Sequence, residues 1–195
     1  MKFFKENSYD IVRLYINQIG IAIFSLVVYT ATGLVDFKEP SMALTVKGLV
    51  SLGSLLFYFS LIYNVCWECG AKDKIRIDGG KATVNGAKGA LMSLFANLPN
   101  LVLSLITLAL LALYAFWGRG AAFAIANLLM RFHQSLYLGL IQWLTASIKS
   151  ESHLDFLVET ILYFVLPFVS VLVCHLGYTL GLKDKKLLSP SKKQG

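Results

Sequence analysis

The chain has 195 residues, of which 56% are hydrophobic and only 15% are charged, and its formal net charge is +7. A soluble domain of this length needs charged residues on the outward faces of its helices. Asp, Glu, Lys and Arg are missing from four long runs, 14–35, 48–67, 89–118 and 160–182. Each run reaches the ~18–20 apolar residues that cross a bilayer core. The composition therefore excludes a soluble domain and predicts a polytopic membrane protein.

The hydrophobic runs predict an all-α transmembrane bundle of about five helices, forming a single domain over residues 1–182. Pro99 predicts a bend in the third segment, because proline cannot continue the backbone hydrogen bonds of a helix. The basic tail, 183–195, has a composition typical of disorder. The five predicted segments are 11–34, 42–65, 87–117, 121–148 and 156–182.

The polar loop 68–86 separates the second and third segments, and we predict a short β-hairpin within it, over 74–85. Gly79 and Gly80 supply a two-residue turn that tolerates positive φ. Pairing across this turn places the apolar residues of both strands on one face. A lone hairpin is marginally stable in water, so we expect its apolar face to lie against helix ends or the membrane interface.

The distribution of basic residues sets the predicted topology. The stretch 68–88 and the tail each carry five Lys or Arg, and the positive-inside rule places both in the cytoplasm with the N-terminus. Five crossings put them on opposite sides, whereas a re-entrant fourth segment, bent at 131–134, leaves 13 of the 18 basic residues inside. A single tilted helix over 121–148 is the alternative, so the number of crossings stays open between four and five. We expect a multi-pass protein of a bacterial plasma membrane.

Six polar side chains within the apolar segments form the predicted ligand site or polar cavity. Ionisable and amide groups at membrane depth are costly and tend to mark pathways or ligand contacts. A proline break also frees carbonyl groups that need polar partners. The alternative interpretation is an interfacial bend whose polar groups meet headgroups and water. The six candidates are Asn97, Asn100, Asn127, Arg131, His133 and Gln134.

Cys66 and Cys69 form a CxxC motif at the end of the second segment. This spacing places both sulfurs on one helical face and recurs in redox and zinc sites. A membrane thiol–disulfide redox protein is therefore one alternative function. Such enzymes normally use a second cysteine pair, and Cys174 is a single cysteine, so we predict no metal site and give the redox interpretation second place.

Three common catalytic and nucleotide-binding motifs do not occur in the sequence. It has no GxxxxGK[ST], HExxH or GxSxG pattern, which disfavours an ATPase, a metalloprotease or a serine hydrolase. All carboxylates lie at segment ends or in loops apart from Glu159, which disfavours proton- or sodium-coupled transport.

The sequence thus favours a non-enzymatic protein without a cofactor, namely a permease-like or transporter-accessory subunit. A further alternative is a membrane scaffold that docks a membrane or cytoplasmic protein partner through 68–88. The basic residues flank the apolar runs, so we expect them to contact the lipid bilayer, and we predict no nucleic-acid partner.

Five short motifs resemble those of uncharacterised small integral membrane proteins of Gram-positive bacteria. This resemblance implies a location in a bacterial plasma membrane. It implies no activity, ligand or catalytic residue. The motifs are NQIGI at 17–21, WECGAKD at 67–73, ANLPN at 96–100, YLG at 137–139, and Pro167 followed by GYTLG at 177–181.

Overall fold

The chain is helical throughout the residues that the computed structural model describes, which are 2–81, 83–118, 120–146 and 153–186. No strand occurs in these ranges, so the predicted all-α class is confirmed for them. The predicted tail lies outside the described residues from 187 onward. The elements are α1 (Lys2–Thr32), α2 (Pro40–Asp78), α3 (Lys88–Trp117), α4 (Ala121–His133), a 3-10 turn (Ser135–Tyr137), α5 (Leu138–Thr145), α6 (His153–Val165) and α7 (Pro167–Leu182).

The predicted β-hairpin is wrong, because α2 continues as one helix through Asp78. Only two apolar residues per strand supported the alternating pattern, and a helical pattern competes with it. Cys66, Cys69, Gly70 and Asp73 recur at helical spacing and are all buried on one side of α2. Packing of that face outweighs the short alternation. The turn that remains is the helix end itself, where Gly80 has a φ of 69°.

The first helix also differs from its predicted segment, whereas α3 agrees within one residue with the predicted segment 87–117. α1 begins at Lys2 rather than near residue 11, and Phe3 stacks on Phe95 of α3 with ring centroids 5.9 Å apart. Pro99 lies inside α3 without ending it. Because a proline lacks an N–H group, it removes one backbone hydrogen bond of α3, and the helix continues beyond it to Trp117.

Within the described residues, four helical stretches, rather than five, are long and apolar enough to cross a membrane. The fourth stretch contains both α6 and α7, which meet at Leu166 because Pro167 cannot donate a backbone hydrogen bond there. The four stretches are Phe3–Thr32, Pro40–Asp78, Lys88–Phe116 and Asp155–Leu182.

One end of the bundle gathers most of the basic residues. Lys88 Nζ lies 2.7 Å from Asp73 Oδ2, and the hydroxyl of Tyr178 donates to the same oxygen at 2.9 Å. These contacts bring the end of α2, the start of α3 and the end of α7 together. We call this end the basic end, because it holds Lys2, Lys5, Arg13, Lys72, Lys74, Arg76, Lys81, Lys88, Lys183, Lys185 and Lys186.

Helix α4 enters the bundle from the opposite end and stops halfway along α3. The ring of Phe123, near the start of α4, stacks on Tyr114, near the end of α3, with centroids 5.8 Å apart. Gln134, just after α4, donates to Ser104 in the middle of α3 at 2.9 Å. α4 therefore runs antiparallel to α3 for half of its length.

Helix α5 returns to the end from which α4 came. At the 3-10 turn, the carbonyl of Leu136 accepts a hydrogen bond from Ser51 of α2 at 2.7 Å. Two turns later, Gln142 accepts a hydrogen bond from Tyr29, close to the end of α1. The fourth hydrophobic segment is thus a hairpin that enters and leaves the bundle at the same end, and we call it the re-entrant hairpin for that reason. The four long helices leave both described chain ends at the basic end.

Helices α2 and α7 pack closely through glycine. Gly177 and Gly181 of α7 form a GxxxG pair, the spacing that lets helix backbones approach in membranes. A Cβ atom on Gly177 would lie 2.7 Å from the carbonyl oxygen of Tyr63. A Cβ on Gly181 would overlap the carbonyl oxygen of Trp67, and one on Gly70 would overlap that of Tyr178.

Replacing Gly181 with alanine should destabilise the protein by roughly 1–3 kcal/mol, the usual cost of overpacking. The matched control is Gly53→Ala, because a Cβ on Gly53 meets nothing within 4 Å. Thermal unfolding in detergent should show a lower Tm for Gly181→Ala and a Tm at or above wild type for the control. Equal Tm values for both variants would contradict the close packing of α2 on α7.

The re-entrant hairpin predicts that its two ends face the same side of the membrane. Single cysteines at Ala121 and Ala146, in a background without the three native cysteines, should react from one side with a membrane-impermeant maleimide. A cysteine at Lys81 should react from the other side. Labelling of Ala121→Cys and Ala146→Cys from opposite sides would show a full crossing instead.

Candidate functional site

The inner face of α3 is a continuous stripe of polar side chains. Its members are spaced four, three, four and three residues apart, which keeps them on one side of a helix. At 1.5 Å per residue the stripe is about 21 Å long, most of the thickness of a bilayer core. The stripe comprises Ser93, Asn97, Asn100, Ser104 and Thr107, whose exposures are 2%, 1%, 0%, 0% and 0%.

In the half of the stripe that is nearer to the basic end, the side chains form hydrogen bonds to α7 and to one another. Asn97 Nδ2 donates to the carbonyl of Ser93 and to Ser170 Oγ, both at 2.9 Å. Asn100 Nδ2 donates to Asn97 Oδ1 at 3.0 Å. A carbonyl only accepts, so the bond to Ser93 fixes the amide of Asn97, and that amide in turn fixes Asn100.

The tip of the re-entrant hairpin contacts the half of the stripe that is farther from the basic end. Gln134 Nε2 donates to Ser104 Oγ at 2.9 Å and to the carbonyl of Asn100 at 3.3 Å. On the other side of the tip, Ser135 Oγ donates to the carbonyl of Ala22 in α1 at 2.6 Å. The tip therefore lies between α1 and α3, and the structure brings together Asn97, Asn100 and Gln134 of the six predicted residues.

Several polar atoms at this meeting point have no hydrogen-bond partner among the described residues. They are Asn100 Oδ1, Gln134 Oε1, the Tyr137 hydroxyl and both amide atoms of Gln18. Each of these four residues is at most 1% exposed. Buried polar groups in folded proteins are nearly always paired, and an unpaired one costs about 1–3 kcal/mol. This concentration of unpaired groups makes the centre of the bundle the candidate site.

An ion pair lies beside the stripe, near the end of the bundle that is opposite to the basic end. Arg131, in the last turn of α4, contacts Glu159 of α6, and their side chains are 28% and 18% exposed. Gln134 is level with Ser104, and α4 is antiparallel to α3. Arg131 is therefore level with Thr107, the last residue of the stripe. Its position at the C-terminus of α4 is also favourable for a cation.

A second ion pair lies at the basic end of the stripe. Lys88 and Asp73 are 2.7 Å apart, with side chains that are 14% and 12% exposed. Together with Tyr178 they line an open cavity of 690 Å³, which Arg76 and Asn85 also border. The polar interior thus extends from a water-accessible cavity at the basic end to the Arg131–Glu159 pair.

Two of the predicted polar residues lie outside this arrangement. Asn127 is half-buried on α4, one turn before Arg131, and joins none of the stripe's hydrogen bonds among the described residues. The ring of His133 packs beside Tyr15 of α1, with centroids 5.9 Å apart. These residues border the site rather than form it.

The cysteines are buried and free, and they contact different neighbours. Cys69 Sγ lies 3.7 Å from Asp10 Oδ2, whereas Cys66 adjoins the thiol of Cys174 across the α2–α7 interface. Cys66 and Cys69 therefore do not form a separate pair of thiols at a solvent-exposed surface. No group of three metal-ligating side chains occurs in the part of the chain that the structure describes.

Sequence reasoning missed most of the stripe and its partners. The polar residues of α3 are short side chains dispersed among leucines, so each one alone gives a weak signal. Their spacing was the available signal, because five polar positions at intervals of three and four share one face. The missed residues are Gln18, Ser93, Ser104, Thr107, Tyr137 and Ser170.

Comparison of the chain with protein-family models, curated proteins and solved structures finds no match. The resemblance to small membrane proteins of Gram-positive bacteria stays a prediction. Any function has to be argued from the geometry of the polar interior.

The Arg131–Glu159 pair predicts non-additive effects on stability. Arg131→Gln and Glu159→Gln should each lower the Tm in detergent, because each leaves an uncompensated, partly buried charge. The double variant should be more stable than the sum of the two losses predicts, with a coupling of about 1 kcal/mol or more. Additive losses would show that the two groups do not interact.

Proposed function

We propose that this chain is a multi-pass plasma-membrane protein with its basic end in the cytoplasm. The proposal is supported by the four long apolar helices. Large apolar side chains such as Phe24, Leu56 and Leu172 point outward and are 54%, 59% and 68% exposed, as lipid contact requires. The clustering of basic residues at one end follows the positive-inside rule.

Within that setting, we propose a permease-like function, in which small polar solutes move along the inner face of α3. The chain acts alone or as a subunit of a larger transporter. The observation that carries the proposal is the buried polar stripe from Ser93 to Thr107. An inert bundle is stable with apolar side chains at such positions, whereas a pathway needs hydrogen-bonding groups at successive depths.

The re-entrant hairpin supports the same function. Irregular backbone at membrane depth is tolerated where it is buried in protein or lines a polar cavity. The 3-10 turn between α4 and α5 lies beside the middle of the stripe, and Gln134 contacts the stripe directly. Broken helices that place their ends near the bilayer midplane are a common way to build a solute site in transporters.

The two ion pairs are suited to act as gates. Lys88–Asp73 lies at one end of the stripe and Arg131–Glu159 lies beside the other. About 28 Å of α3 separates Lys88 from Thr107, at 1.5 Å per residue. Each ion pair joins two different helices, so breaking the pair allows those helices to move apart.

Solute flux into proteoliposomes tests the function. With a panel of charged and uncharged small solutes, the wild-type protein should raise the flux of at least one solute several-fold over protein-free vesicles. Asn100→Leu and Gln134→Leu should abolish that increase, because they remove amides from the centre of the pathway. The matched control is Asn64→Leu, since Asn64 is an exposed asparagine on α2.

The Tm of each variant separates a lost pathway from a lost fold. Asn100→Leu and Gln134→Leu should retain a Tm within a few degrees of wild type, because leucine removes an unpaired amide oxygen together with a hydrogen bond. Wild-type vesicles without increased flux of any solute would contradict the function. Unchanged flux in both amide variants would contradict the pathway.

A further inference from the structure

We propose that the pathway selects uncharged small molecules that donate several hydrogen bonds, such as polyols or simple amides. This inference rests on the proposed permease-like function and specifies its substrate class. Three properties of the polar interior support it: the neutrality of the lining, the surplus of hydrogen-bond acceptors among its amides, and the excess of cations at the entrance on the basic end.

The lining between the two ion pairs is neutral. All five stripe residues are amides or hydroxyl residues, and so are Gln134 and Tyr137 of the hairpin and Gln18 of α1. The two carboxylates that border the interior, Asp73 and Glu159, are each paired with a cation. An ion at this depth would lose its hydration without gaining a free countercharge, which is a large cost in a medium of low polarity.

Among the amides of the lining, the unpaired atoms are mostly acceptors. The amide orientations follow from bonds to carbonyl groups: Asn97 donates to Ser93, Asn100 donates to Asn97, and Gln134 donates to the carbonyl of Asn100. The oxygens Asn100 Oδ1 and Gln134 Oε1 are therefore the atoms that remain unpaired.

Gln18 and Tyr137 complete the set. Gln18 contributes an unpaired oxygen and an unpaired NH₂ group, and the Tyr137 hydroxyl can both donate and accept. Gln18 lies one helical turn before Ala22, whose carbonyl holds the hairpin tip. Three amide oxygens against one amide nitrogen favour a molecule that presents several N–H or O–H groups.

The entrance at the basic end disfavours cations, which would otherwise match oxygen ligands. Three cations, Arg76, Lys81 and Lys88, border the cavity there, against two carboxylates, Glu6 and Asp73. This excess of positive charge lowers the local concentration of cations, whereas the acceptor-rich centre offers little to an anion. A neutral donor molecule is the class that satisfies both conditions.

The experiment compares glycerol and urea with potassium, ammonium and chloride in proteoliposomes. Stopped-flow light scattering reports the neutral solutes, and potential- or pH-sensitive dyes report the ions. Glycerol or urea flux should rise several-fold over protein-free vesicles, with ion flux unchanged. Gln18→Met should reduce the neutral flux at least several-fold, and Asn64→Leu should leave it unchanged.

Gln18→Met is the decisive variant, because neither amide atom of Gln18 has a partner among the described residues. The substitution keeps the shape of the side chain and removes no hydrogen bond seen there, so the Tm should equal or exceed that of wild type. Loss of neutral flux with an unchanged or higher Tm therefore reports the pathway and not the fold.

The outcomes separate this inference from the function on which it rests. Increased flux of potassium, ammonium or chloride, with glycerol and urea at the protein-free rate, would overturn the substrate class and leave the permease-like function standing. No increase for any solute would overturn both. Neutral flux that Gln18→Met does not reduce would overturn the role of the unpaired amides.

Discussion

The chain breaks its helical hydrogen bonding in the middle of an apolar bundle, and the fold depends on pairing the backbone groups that this break exposes. Lipid offers no hydrogen bonds, so protein groups have to supply them. The hydroxyl of Ser51 donates to the carbonyl of Leu136, and Ser25 Oγ lies 3.5 Å from the carbonyl of Ser135. Two serines on two different helices thus hold the turn at this depth, and the paths of α4 and α5 follow from that attachment.

The same attachment places polar side chains in the interior, where few hydrogen-bond partners are available. With the turn fixed between α1 and α3, Gln134 contacts the stripe and Tyr137 is buried with its hydroxyl unpaired. Ridges of leucine on the outside and glycine contacts between α2 and α7 close the bundle around them. Stability and the polar centre therefore have separate sources: the glycine interface holds the long helices, and the hairpin supplies the groups that distinguish the interior.

Much of this architecture can be predicted from the sequence, and the part that cannot has physical causes. Runs without charge identify the membrane helices, and the basic residues of 68–88 and 183–186 favour an even number of crossings. The end of α2 carries a hairpin-like pattern, but the alternation around Ile75 and Ile77 is short and Ile75 is exposed in the structure. The helical face that includes Cys69 and Asp73 is the one that is buried. Asn97, Asn100 and Gln134 were predicted as polar candidates. Gln18 was not, because its environment is created by a turn more than a hundred residues later.

The long sequence separations within the polar stripe also affect how the protein is made. α3 is the second most apolar of the four candidate spans in the described residues, with a mean hydropathy of 2.0. It can therefore enter the membrane as soon as it is synthesised. The hydrogen-bond partners of its amides are synthesised later: Gln134 follows Asn100 by 34 residues, and Ser170 follows Asn97 by 73. At roughly 5–20 residues per second, the stripe of a nascent chain faces lipid or another protein for several seconds. Insertion of α7 is the step that completes its hydrogen bonds.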